Sequence, residues 1–377
     1  MTSDSSDLRA DLGPGDQPRE EAGRPADGRP ALAIGPANYA GQAYRWAVAV
    51  RERTPYDAWS FTYGEHDKPM YYFVYPSDRF IGAPQLYLPH ARARRVDAAI
   101  AGATHVALDG FERLYRLPGI GNVRHDAGVL GRRGLHIALI SHGSDTRDPD
   151  HHQARNPHSY FGASEPAYVR KMIKRSARNR AFAQASGLPL FVSTPDLLWD
   201  LPQATWLPVT VDAAVWRTTE PVLEHARPRV VHLPSRRTPP TKGTHLVTPA
   251  MERLAADGII DYTEPEKVAH ADVPAVIAGA DVIIDQITGD AYGTAGAEAM
   301  AAGRLVLAGL HGTRAKMPED PPIVDVSPDT IADVVRDIAA HPENYRARAH
   351  AGPGFVERWH DGRVAAAALA GFLGDTP

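Results

Sequence analysis

Short apolar runs alternate with longer amphipathic stretches from residue 31 onward, the pattern that builds buried strands and covering helices in turn. Ala31-Leu-Ala-Ile-Gly35 has the length and apolarity of a buried strand. After Pro36-Ala-Asn-Tyr-Ala-Gly41-Gln42, apolar residues recur at helical spacing through Ala43, Trp46, Ala47 and Val50. Strand, glycine-bearing turn and helix open a doubly wound domain. Further strands are predicted at 59–63, 71–75, 104–108, 135–141 and 190–193, with helices over 91–101 and 166–186. Residues 206–229 carry several prolines and no long period, and read as a linker. A second alternation follows, with strands at 229–233, 259–262, 281–285 and 304–308. Its helices are predicted at 243–257, 273–278, 294–302, 328–340 and 345–373, the last broken near Gly352–Gly354. Two α/β series of similar size predict an α/β fold of two Rossmann-like domains facing across a cleft.

Composition narrows the chemistry. The 377 residues are 43% hydrophobic and 23% charged, a mixture that folds and is long enough for two cores. A net charge of −4 gives no general attraction to nucleic acid. The absence of cysteine excludes disulfides, thiolate metal sites and a cysteine nucleophile, and fits a cytoplasmic location. Residues 1–30 are rich in Asp, Glu, Gly, Pro and Ser and lack the apolar core of a signal peptide, so they read as a flexible tail. No run approaches the roughly 20 apolar residues of a membrane span. The basic stretch Arg170 to Arg180 reads as a solvated helix face, or as a peripheral contact for an anionic lipid surface or a lipid-linked acceptor.

The segment from Ala280 to Gly303 carries the densest candidate chemistry. A strand ends near Asp285, a polar loop follows, and a helix begins near Thr294. That loop sits at the carboxyl end of a parallel strand, where open α/β sheets bind ligands. Gly293 lets a ligand approach the backbone, and the first-turn N–H groups at Gly293, Thr294 and Ala295 favour an anion such as diphosphate. Tyr292, which borders this turn, is a further candidate for binding the donor. Glu298, one turn in, can reach the hydroxyls of a ribose, and Asp290 can accept hydrogen bonds from a sugar. A second loop, from Val230 to Gly243, ends a strand with Arg237 and Lys242, a fork and a compact charge suited to phosphate. Each segment alone also reads as a capped helix or a solvated loop.

Together these motifs resemble the GT-B glycosyltransferases, in particular the retaining glycosyltransferase family 4 type. That family places Lys-Gly five residues beyond an arginine after a strand, as Arg237 and Lys242-Gly243 stand here. It also separates two acids by seven residues, the second opening a Glu-Ala-Met-Ala-x-Gly run, which Asp290 and Glu298-Ala-Met-Ala-Ala-Gly303 match. The first acid is Asp where the family usually has Glu. Weaker matches are the loop with Gly41 and Gln42 near the donor phosphates, and the cleft-facing loop His142-Gly-Ser-Asp145-Thr-Arg147. Residues 207–212 resemble the entry to the second domain, and 355–361 the start of the last helix.

The resemblance implies a tail at 1–30, an acceptor domain at 31–212 and a nucleotide-sugar donor domain at 213–358, with a helix at 359–377 packing back on the first. It implies sugar transfer with retention from a nucleotide diphosphate sugar to a glycan, glycolipid or small-molecule acceptor, and no metal requirement. His142, Asp290, Arg237 and Lys242 would be catalytic, with Asp145 orienting His142. Two alternatives stay open. Asp148-Pro-Asp150 could serve a metal-dependent transferase of the other common fold, or the chain could be a non-catalytic nucleotide-sugar binder. Epimerase and phosphorylase activities occur on the same fold, and no lysine resembles the phosphorylase cofactor attachment.

Overall fold

The computed structural model describes residues 28–65, 68–69, 75–82, 89–115, 122–234, 238–265 and 268–374. They form two compact units. One runs through Ile140 and takes in Ala269–Ala271 and the chain from Leu369 on, and the other holds Ser141–Val268 and Asp272–Ala368.

In chain order the first unit contains β1 (Ala31–Gly35), α1 (Gln42–Arg53), β2 (Asp57–Glu65), β3 (Lys68–Pro69), β4 (Arg79–Ile81), α2 (Pro89–Ala99), β5 (His105–Asp109), α3 (Val123–Arg132) and β6 (His136–Ser141). All five residues of β1 are buried, which is why its apolar run carries no polar alternation. β1 lies parallel between β2 and β5, and β5 pairs in parallel with β6. α1 buries Trp46, Ala47 and Val50, the helical stripe expected from their spacing. The strand expected at 71–75 falls almost wholly outside the described residues.

The second unit continues with α4 (Pro149–Arg155), α5 (Pro166–Ser186), β7 (Leu190–Val192), β8 (Thr205–Trp206), α6 (Ala213–Trp216), β9 (Arg229–His232), α7 (Thr244–Ala256), β10 (Asp261–Thr263), α8 (Val273–Ala278), β11 (Val282–Ile284), α9 (Thr294–Ala301), β12 (Leu305–Ala308), β13 (Ile323–Asp325), α10 (Ile331–Ala340) and α11 (Glu343–Trp359). The last helix, α12 (Arg363–Gly374), ends in the first unit, where Phe372 meets the ring of His105 edge-on at 4.8 Å. The strand order β10-β9-β11-β12-β13 is parallel throughout. The chain leaves β9 toward one edge and returns past it to β11, so strand order reverses between these two. A crevice for ligand opens at the carboxyl ends of such a pair.

Two local expectations need correction. No break occurs at Gly352–Gly354: α11 runs through Pro353, and the helix ends at Trp359. The glycine serves packing instead, because a Cβ on Gly352 would lie 2.6 Å from the carbonyl oxygen of Met300 in α9. The stretch after Asp148, which carries the Asp148-Pro-Asp150 motif, is the helix α4 and not an irregular loop, with Asp148 as its N-cap accepting from the N–H groups of Asp150 and His151.

Candidate functional site

The reversal point between β9 and β11 gathers several of the residues that the sequence assigns to a donor site. β9 ends at His232, whose buried ring bridges the Ile284 carbonyl (2.9 Å) and the Thr244 hydroxyl at the start of α7 (2.8 Å). This locks the ends of both strands to the helix. Gly243 holds the turn into α7 at φ +76°, a left-handed position, and a Cβ there would meet Ile287 at 2.7 Å. Lys242, just before it, donates to the Leu233 carbonyl (3.0 Å) and pairs with Asp285 Oδ1 at 3.2 Å. The other Asp285 oxygen accepts the Gly293 N–H at 2.6 Å. One buried carboxylate therefore joins the lysine to the entry of α9.

That geometry redistributes the expected anion donors. The Gly293 N–H is committed to Asp285, which leaves the N–H groups of Thr294, Ala295 and Gly296 to open α9. Glu298 is half-buried one turn further in. Tyr292 has its side chain in the core, its hydroxyl 2.8 Å from His360 Nε2, so it supports the loop from behind. Arg237 lies outside the described residues.

Asp290 is fully buried and left-handed at φ 61°. Among the described residues neither of its carboxyl oxygens has a hydrogen-bond partner, while the Thr313 hydroxyl donates to its backbone carbonyl. Burial first, and the charge of Asp196 second, push its carboxyl up to about 8, against the lowering effect of Arg155 and Arg147. At neutral pH it is therefore mostly protonated and can donate as well as accept.

The loop after β6 is built by Asp145. Its carboxylate accepts from the backbone N–H groups of His142 (3.0 Å), Gly143 (2.8 Å) and Thr146 (3.0 Å) and from the Ser141 hydroxyl (2.9 Å). It shapes the backbone that carries His142. Arg147, expected to face a cleft, is buried and ion-paired to Asp196, its Nε 2.7 Å from Oδ2. Gly41 and Gln42 stand in the first unit at the turn into α1, Gly41 at φ +70° and Gln42 buried. There the Asn38 N–H donates to Asp109 across β1 and β5 (2.7 Å).

Asp148 caps α4 and pairs with Arg180, while Asp150 is exposed. Among the described residues no group of three or more His, Asp or Glu side chains is placed to hold a metal ion. No helix among them is long and apolar enough to cross a membrane.

Sequence reasoning missed Asp285, Asp196, Arg155 and His360. Asp285 had a signal, since a carboxylate directly after an all-buried strand needs a partner. His360 had a weaker one in its place within the Phe355–Asp361 segment. Arg155 and Asp196 had none, for their neighbours are distant in the chain.

No family model and no curated protein sequence matches the chain. Solved structures do. Sucrose-phosphate synthase from Thermosynechococcus elongatus is 14% identical, with 91% of this chain and 98% of that chain covered and a TM-score of 0.58. HepE from Anabaena, in complex with UDP and glucose, is 14% identical over 92% of this chain and 100% of that one, with a TM-score of 0.57. A UDP-N-acetylglucosamine 2-epimerase is 10% identical over 93% and 98%, at 0.53. At these identities the likeness is one of fold: an α/β protein with two parallel sheets, the GT-B architecture.

Proposed function

We propose that the chain transfers a sugar from a nucleotide diphosphate sugar to an acceptor hydroxyl, with retention at the anomeric carbon. The observation that carries this reading is the Lys242–Asp285–Gly293 arrangement at the β9/β11 reversal, which brings a cation and a helix N-terminus to one crevice. The diphosphate would lie on Lys242 and on the N–H groups of Thr294 and Ala295, with Arg237 of the same loop as a second cation. As the bond from the anomeric carbon to the diphosphate oxygen breaks, these groups stabilise the charge left on that oxygen. The acceptor oxygen bonds to the same carbon and its proton passes to the departing diphosphate. Glu298 would hold the ribose, Asp290 the transferred sugar, and His142 would approach the reacting carbon.

HepE, a protein of the same fold, binds UDP and glucose, which favours a nucleotide-sugar donor here. Epimerisation of a nucleotide sugar is the second reading, favoured by the likeness to the 2-epimerase. Analysis of the products separates the two. The acceptor is a glycan, a glycolipid or a small molecule, reached without a metal ion in this reading.

Calorimetric titration with UDP, GDP, ADP and TDP, with and without EDTA, tests the donor site. One of them should bind regardless of chelator, and Glu298→Ala should weaken it roughly 10- to 150-fold, the loss of one charge-assisted hydrogen bond. Binding by none of the four would overturn the reading, and a loss under about threefold would remove Glu298 from the ribose.

A further inference from the structure

Among the described residues, several buried polar atoms have no partner: Nε and Nη2 of Arg155, Nδ2 of Asn156, Oγ1 of Thr194, Oδ1 of Asp196 and both carboxyl oxygens of Asp290. Native interiors leave few such atoms unpaired, and several in one neighbourhood mark a place where something else binds. Asp290, Asn156 and Asp196 are each at most 1% exposed. Geometry links several of them: Asp196 and Trp199 share one short helical turn, and the Trp199 indole lies 5.7 Å from the Arg155 guanidinium. His152, one turn before Arg155 in α4, bonds to the carbonyl of Gly289, the residue before Asp290.

The free atoms have a specific chemistry. Nε and Nη2 form the side-on edge of a guanidinium, the fork that matches two oxygens of one carboxylate or phosphoryl group. Among the described residues no carboxylate is ion-paired with it. Asp196 gives Oδ2 to Arg147, and Asp290 is held mostly neutral. Asp196 Oδ1, the Thr194 hydroxyl and the Asp290 carboxyl, also without partners among the described residues, offer acceptors and hydroxyl-type donors of the kind that sugar hydroxyls use. On the solvent side the guanidinium lies 5.7 Å from the ring centroid of Trp199, which is 41% exposed, and Lys316 Nζ stands 4.1 Å over that ring. Two cations gathered over one exposed indole draw negative charge to this place.

We propose that Arg155 is a specificity-determining residue for an acidic sugar, its Nε/Nη2 edge receiving a carboxylate or phosphoryl group that enters past Trp199. The inference rests on the sugar-transfer reading and adds to it the charge of the sugar. That sugar is either the group being transferred or part of the acceptor.

The test is calorimetry on the full chain. One arm compares UDP-glucuronate with UDP-glucose, and the other compares free glucuronate and glucose 6-phosphate with glucose, with and without saturating UDP. The acidic probe of at least one arm should bind roughly tenfold or more tighter than its neutral counterpart. Arg155→Gln should abolish that difference and leave UDP affinity unchanged, and Arg155→Lys, which keeps the charge and loses the fork, should restore only part of it. A preference in the first arm assigns the acid to the donor, and in the second to the acceptor. Equal binding of acidic and neutral probes by the wild type overturns the proposal, even if Arg155→Gln fails to fold. So does a preference that survives Arg155→Gln. UDP binding without an acid preference would sink this inference and keep the donor reading. An acid preference without UDP binding would do the reverse.

Discussion

The Nδ1–H of His360 donates to the Val209 carbonyl at 2.7 Å, and this fixes the tautomer whose Nε2 accepts the Tyr292 hydroxyl at 2.8 Å. Tyr292 immediately precedes Gly293, so the loop that enters α9 is braced by a histidine that follows α11. Both side chains are buried, and the ring has no alternative partner in water.

His360→Phe should therefore destabilise the protein by roughly 2–5 kcal/mol, because it leaves a buried carbonyl and a buried hydroxyl unpaired. Tyr292→Phe, which orphans only one ring nitrogen, should cost less. Urea unfolding of the two variants checks the order.

Acid should unfold the protein through its buried imidazoles. Burial first of all pulls His152, His232 and His360 down to about 4, from an ordinary value of 6.5. These rings take up protons in the unfolded chain before the folded one can, so their contribution is complete above pH 6.5 and drains away as pH falls toward 4. Each adds up to about 1.4 kcal/mol per pH unit across that window. Unfolding free energies at pH 7.0, 6.0, 5.0 and 4.5 should show the decline, and His232→Gln should make it shallower.

Asp290 has the opposite sense. Its folded value near 8 lies above the ordinary 3.8, so its contribution is complete below pH 4 and is lost as pH rises toward 8. Relative to wild type, Asp290→Asn should gain stability progressively between pH 4 and 8 and then hold steady. A constant difference across that range would show that the carboxyl is ionised throughout.

Two glycines of α11 should respond in opposite directions. Gly352→Ala places a methyl group 2.6 Å from a backbone oxygen of α9 and should cost roughly 1–3 kcal/mol. Gly354→Ala meets only the flexible end of Arg358, at 3.4 Å, and should stabilise by up to about 1 kcal/mol through helix propensity. Melting temperatures decide both.

The same glycines show where sequence reasoning stops. A periodic, well-punctuated element such as α5 (Pro166–Ser186) is legible because apolar spacing, an initial proline and a terminal glycine agree locally. Gly352 and Pro353 carry the local marks of a helix end, yet contact with Met300 decides their role. The turn into α9 was legible from Gly293 and the helix-forming run that follows it. The Arg147–Asp196 pair was not, since 48 residues separate its members and only tertiary packing joins them. It was this unseen pair that left Arg155 without a carboxylate of its own.

The Asp285 carboxylate divides its two oxygens between an ammonium and a helix N-terminus. The crevice thus carries its own counterion at Lys242. In the proposed donor reading, a diphosphate reaching Lys242 would enter as an exchange of anions, with Asp285 yielding part of its hold on the lysine. Charge bound in exchange releases fewer ions from solution than charge bound outright, so added salt should erode such binding less than a count of nearby cations suggests.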